Sequence, residues 1–197
     1  MNKGKLGLVW RATAIVSISA LIVAAIIRRG IHTSAQGGSG DFGSQMIRLV
    51  KQGRFDDAIQ VGLHSLQNDP SDELVYQQIA DTYLVRASKD ADQRQQWLAK
   101  AVSYIDKSLS LNSKDRDAAG VHLLQDALGL ETVGSLSQTS RCIYYDRARK
   151  LLEDRVSLLQ GDHLLLDGKT YPLAPLREEN EKRLAEVLAN RAKAGCE

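Results

Sequence analysis

Cysteine is almost missing from this chain of 197 residues. Only Cys142 and Cys196 are present, far apart, with no CxxC pair and no Cys/His cluster at zinc-ligand spacing, which excludes a structural zinc site. A surplus of one charge is missing too: the formal net charge is +2, so no nucleic-acid or strongly acidic partner is implied. Catalytic signatures are also absent. The four histidines, His32, His64, His122 and His163, are scattered, and neither HExxH nor GxSxG occurs, so the chain reads as a non-enzyme with no cofactor and no small-molecule substrate. What is there is ordinary globular material, 43% apolar and 25% charged, in a length that supports one domain with a real core.

The amino terminus, residues 1–30, says where the chain sits. The uncharged run Ala12 to Ile27 covers about 24 Å as a helix, and adding Leu6 to Trp10 extends it to about 33 Å if Arg11 snorkels to the interface beside Trp10. Against a hydrocarbon core of roughly 30 Å, residues 6–27 read as a single membrane span. A cleaved secretory signal, ending near "TSA" at Thr33–Ala35, is the competing reading; Arg28 and Arg29 lie between the apolar run and that site and count against it. Basic residues flank the run on both sides, and the short amino-terminal tail is the easier piece to keep in the cytoplasm. The main domain is therefore expected outside the cytoplasm.

Residues 31–43, with "TSAQGGSGDFG", read as a Gly/Ser-rich tether. Within it Gly38, Gly40 and Gly43 spell GxGxxG, and Asp41-Phe42-Gly43 spells DFG. No strand precedes them, no βαβ unit surrounds them and no HRD motif follows, so a nucleotide site is not inferred.

The stretch 44–160 carries a recurring phrase. In "KQGRFDDAIQVGLHSLQNDP", Gly53 marks a turn between helices expected at Ser44–Lys51 and Asp56–Gln67. Phe55 and the small Ala58 follow, and Asp69-Pro70 stops the second helix. "YQQIADTY" then sets Tyr76, Ile79, Ala80 and Tyr83 as aromatic, large aliphatic, small, aromatic, and "QWLAKAVSYIDKSLSLNSKD" follows, with Ala101 in the place of Ala58, Ile105 in the large apolar place and Asn112-Ser113 in that of Asp69-Pro70. "YDRA" at Tyr145–Ala148 repeats "FDDA" and opens a third unit's second helix, the first being Arg116–Leu128. These phrases resemble the tetratricopeptide repeat, a helix-turn-helix unit of about 34 residues with the pattern W-x2-L-G-x2-Y. The alanines here are spaced more widely than that period, and the excess is assigned to polar connections at Arg86–Gln95 and Gly129–Arg141.

The fold expected is therefore all-α, a solenoid of two to three tetratricopeptide-like hairpins. Residues 161–197 add a β-hairpin around Asp167-Gly168 and a capping helix with an apolar stripe at Leu184, Val187 and Leu188. Cys142 and Cys196 either pair, pinning the last helix to the third unit in an oxidising compartment, or stay as free thiols; the sequence leaves both open.

The resemblance implies a membrane-tethered scaffold that takes a protein partner, itself membrane-associated, in a groove lined by the first helix of each pair. Lys51, Gln77, Asp81, Leu84 and Gln125 are the candidate partner-binding residues. A structural subunit of a larger membrane complex and a secreted protein after signal cleavage are the alternatives.

Overall fold

A computed structural model describes residues 39–111, 116–166 and 169–196. The expected membrane span, the tether up to residue 38, the Asn112-Ser113 stop and the Asp167-Gly168 turn lie outside the described residues. Among those described, no helix is long and apolar enough to cross a membrane.

The described chain is mostly helical. The helices are α1 (Ser39–Lys51), α2 (Phe55–Asn68), α3 (Glu73–Lys89), α4 (Arg94–Ser110), α5 (Arg116–Leu136), α6 (Arg141–Leu158) and α7 (Ala174–Lys193). Strands β1 (His163–Leu166) and β2 (Lys169–Pro172) form an antiparallel pair between α6 and α7, with Leu164 opposite Tyr171.

Local chemistry sets the turns. Gly53 adopts φ +75°, which lets its N–H reach the Val50 carbonyl and the Arg54 N–H reach that of Leu49, closing α1 before Phe55 opens α2. Asp69 accepts from the Ser71 N–H at 3.0 Å, and the Asp72 side chain caps α3 by accepting from the Val75 N–H at 3.1 Å.

Consecutive helices fold back as three hairpins, α1/α2, α3/α4 and α5/α6. The first helices also meet in succession, α1 on α3 and α3 on α5, while α2 packs on α3 and α4 on α5. Two clusters make most of the core, and half-buried Tyr104 and Tyr144 pack against both. Met46, Ile59, Ile79, Leu84, Trp97 and Val133 bury together, and Ala80, Ile105, Leu130, Ala148, Leu152 and Val187 continue it into α7. Ala58, Ala101 and Ala148 are wholly buried, the place the repeated phrase gave them.

Two connections are shorter than the sequence suggested. Polar "RASKDADQRQ" is a loop only over residues 90–93: α3 runs on to Lys89, where Ala87 is buried and Arg86 lies 3.8 Å over the Trp97 ring, and α4 begins at Arg94. Nor is Gly129–Arg141 a long connection, since α5 continues to Leu136. Leu130 and Val133 keep its inner face apolar, and its glycines serve close approach rather than interruption: a Cβ on Gly129 would stand 2.9 Å from Ile105 Cδ1, and one on Gly134 would stand 3.2 Å from the Arg141 carbonyl. At the front end α1 begins at Ser39, so the last five residues assigned to the tether are helix.

Helix α7 covers the third hairpin, starting with Pro175 in its first turn. Val187 is buried and Leu184 half-buried, but Leu188, read as part of the same stripe, is 45% exposed. The contact is fixed by polar groups. Arg155 of α6 is 2% exposed; its Nε donates to the Gly120 carbonyl of α5 at 2.6 Å and its Nη1 to Asn180 Oδ1 of α7 at 3.0 Å, while Asn180 Nδ2 donates to the Leu152 carbonyl at 3.0 Å. Asn190 Nδ2 donates to Glu131 Oε1 at 2.8 Å.

A disulfide joins Cys142 at the start of α6 to Cys196 beyond α7, with Cα atoms 5.4 Å apart. Gly195, at φ +73°, turns the chain back to it. Arg191 braces the bond from one side, donating from Nε to Asp146 Oδ1 at 2.8 Å and from Nη1 to the Cys196 carbonyl at 2.6 Å.

The tightness of the α2–α3 crossing is testable. A Cβ at Gly62 would stand 2.7 Å from Ile79 Cγ1. Alanine gains about 0.8–1 kcal/mol over glycine within a helix, and overpacking costs about 1–3 kcal/mol, so Gly62→Ala is expected to destabilise on balance. Ala58→Leu and Ala101→Leu act in the same direction. Urea midpoints of the three variants check this, and unchanged midpoints would contradict the close crossings.

Candidate partner-binding face

The stacking of α1, α3 and α5 makes one face from three first helices. On α3 the half-exposed positions Leu74, Gln78 and Asp81 recur at i, i+4 and i+7, so helical geometry places them on a single stripe. Across α5, Gln125, Leu128 and Thr132 form the matching half-exposed stripe. Helix α1 contributes half-buried Ile47 and exposed Lys51.

The five residues named from the sequence fare differently. Lys51 is exposed at the end of α1, and Asp81 and Gln125 are half-buried on the stripes just described. Leu84 is 1% exposed: it packs in the core and comes within reach of Gly129, so it meets no partner while the fold is intact. Gln77 is also buried, and its amide bonds His122 across the α3–α5 seam. On α3 the sequence reading keeps Asp81 on the stripe, while half-exposed Leu74 and Gln78 stand beside it in place of buried Gln77 and Leu84. Gln77 and Gln78 are the same residue type, and only the hairpin packing decides which faces inward.

No family model, curated protein or solved structure matches the chain. What the face can do must therefore be read from its own chemistry.

Two amide oxygens on this face lack donors. Gln78 Oε1 and Gln125 Oε1 are buried and accept no hydrogen bond. Each unmatched acceptor costs about 1–3 kcal/mol, which makes such atoms uncommon in a finished fold. Gln78 is also tightly seated. A Cβ on Gly43 of α1 would stand 2.8 Å from its Nε2, so glycine at that position lets α1 approach the amide.

Below the stripes the seam is polar. Gln77 Nε2 donates to the His122 carbonyl at 3.2 Å, His122 Nδ1 lies 3.3 Å from Gln77 Oε1, and His122 Nε2 lies 3.3 Å from Glu73 Oε2. Burial holds the His122 pKa below its ordinary value, and the Glu73 charge opposes that effect. Glu131, half-buried beside α7, is shifted the other way: desolvation pushes its carboxyl up, against the Asn190 hydrogen bond and the Arg183 charge.

A shallow cleft of about 660 Å³ lies between α1 and α2, lined by Arg48, Leu49, Gln52, Arg54, Asp57 and Gln60 among others. The Arg54–Asp57 ion pair at 2.7 Å lies on its wall. Its lining is polar and open, unlike the apolar enclosure of a small-molecule site. Among the described residues no three His, Cys, Asp or Glu side chains converge as a metal site would require.

Proposed function

We propose that the chain is a membrane-tethered, tetratricopeptide-like scaffold whose α1–α3–α5 face takes an extended segment of a membrane-associated protein. The observation that carries this reading is the succession of first helices, α1 on α3 on α5, with half-exposed polar and apolar positions running across all three. Repeats of this kind cannot bury their faces singly and present a continuous surface once stacked. Polypeptide N–H groups are donors of the kind that Gln78 and Gln125 lack. The run Ala12 to Ile27 supplies the tether, which raises the local concentration of a partner in the same membrane and compensates for a short array. The Cys142–Cys196 disulfide supports an oxidising surrounding for the domain, outside the cytoplasm.

Affinity capture of the full chain from detergent-solubilised membranes tests the reading. Asp81→Lys combined with Gln125→Lys changes the face and is expected to remove co-purifying protein; the unfolding midpoint of the pair, measured alongside, separates loss of the face from loss of the fold. Partners that survive this pair, and depend instead on Ala12 to Ile27, would replace the scaffold by a subunit held through its span.

A further inference from the structure

The α3–α5 seam carries a hydrogen-bond pattern that fixes where one proton sits. Gln77 Nε2 donates to the His122 carbonyl at 3.2 Å, and this bond orients the amide, because the reversed amide would set two oxygens against each other. Gln77 Oε1 then faces His122 Nδ1 at 3.3 Å and requires a donor there, so Nδ1 carries the ring hydrogen. The remaining ring nitrogen, Nε2, faces Glu73 Oε2 at 3.3 Å. In the neutral ring that nitrogen is a lone pair opposite a carboxylate. One added proton converts the contact into a charge-assisted hydrogen bond between helices.

We propose that Glu73, Gln77 and His122 form a pH-operated clasp between the second and third hairpins, in which His122 rests as the Nδ1–H tautomer and accepts a proton on Nε2 as the medium acidifies, closing an ion pair to Glu73. Neither side chain is sealed from water: that of His122 is 24% exposed and that of Glu73 12%. The charged groups nearby are accounted for. Glu73 on α3 is the group at ion-pair distance from the ring among the described residues. Asp126, one turn along α5, accepts from Ser108 Oγ of α4 at 3.0 Å, Arg155 of α6 is bound to the Gly120 carbonyl, and Asp72 caps α3 at Val75.

The sign follows from the two opposing influences on the ring. Burial outweighs the Glu73 attraction, so the folded-state pKa is lowered and the unfolded chain takes the proton first. Folding stability is therefore full above about pH 6.5 and declines as the pH falls towards the folded-state pKa. The ion pair to Glu73 limits that decline, and loss of Glu73 steepens it.

The test is a two-bond 1H–15N titration of the full chain labelled with 15N-histidine, from about pH 8 to pH 5, with His122→Gln assigning the signal. The expected result at the alkaline end is a hydrogen on Nδ1 and a bare Nε2, the reverse of the tautomer that free imidazole side chains favour in water. Glu73→Gln is expected to lower the His122 pKa further and to steepen the loss of thermal midpoint on acidification. Glu73→Ala does the same without introducing an amide. An Nε2–H tautomer at the alkaline end, or a His122 pKa unmoved in both variants while the other histidine signals keep their parent positions, would overturn the clasp.

Discussion

Cys196→Ala is expected to lower the unfolding free energy by about 4 kcal/mol and the melting temperature by about 8–16 °C, and reductant acting on the parent chain should give the same loss. The bond closes a sequence separation of 54, and cross-linking over a loop of that size removes much of the unfolded chain's freedom. The native state needs no distortion to form it, since the Cα separation of 5.4 Å lies in the ordinary range. Arg191 still holds Asp146 and the residue-196 carbonyl when the sulfur is gone, and Asn190 still reaches Glu131. The reduced protein should therefore keep its helical circular dichroism at room temperature and lose its margin only on heating. A midpoint indifferent to reductant would show that α7 is held by those polar contacts alone.

Arg155→Ala is expected to cost about 2–5 kcal/mol, a loss comparable with that of the disulfide. The guanidinium is buried and shared between Gly120 of α5 and Asn180 of α7, so its removal leaves a cavity, takes one donor from the Gly120 carbonyl and strands the Asn180 amide oxygen. Burial pushes its pKa down, with Glu179 opposing, so the folded state carries this cation at a cost that its hydrogen bonds and the Glu179 charge offset. That balance predicts an order among variants. Arg155→Met fills the volume and removes the buried charge, so it should lose less than Arg155→Ala. Pairing it with Asn180→Leu, which removes the stranded amide, should recover part of the remainder. Urea unfolding of the three variants gives the order, and a loss in Arg155→Met equal to that in Arg155→Ala would mean that filled volume does not count here and that the lost polar pairing sets the whole cost.

Much of the helical order is visible in the sequence where a local rule acts alone. Gly53, Asp69-Pro70 and Pro175 each mark a boundary because φ or a missing N–H decides it. Ala58, Ala101 and Ala148 announce close crossings because a small residue follows an aromatic or apolar one at helical spacing. Where a residue has two uses the sequence misleads. Gly129 and Gly134 suggested a connection, yet both sit inside α5 where neighbouring side chains or backbone come too close for a Cβ. Polar Arg86 and Ser88 suggested a loop, but one lies over Trp97 and the other turns its hydroxyl back to the Val85 carbonyl. The candidate face shows the same limit. Spacing gives the repeat of a stripe but not its rotation, and on α3 a shift of one residue exchanges buried Gln77 for half-exposed Gln78. The Arg155–Asn180 junction has no local signature at all, because its partners come from three helices and a carbonyl that any residue could supply.

Over the described residues the three first helices differ in extent: α1 shows 13 residues, α3 17 and α5 21. At about 1.5 Å per residue these portions measure about 20, 26 and 32 Å, so the described part of the face broadens in the direction of the chain. A strip of uniform repeats offers a ligand nearly the same outline from either end. A tapered one does not: a bound chain that is bulky at one terminus and slender at the other matches the outline in one orientation and overhangs it in the reverse. On the proposed scaffold reading, direction of binding would then be set by shape before any particular contact is made.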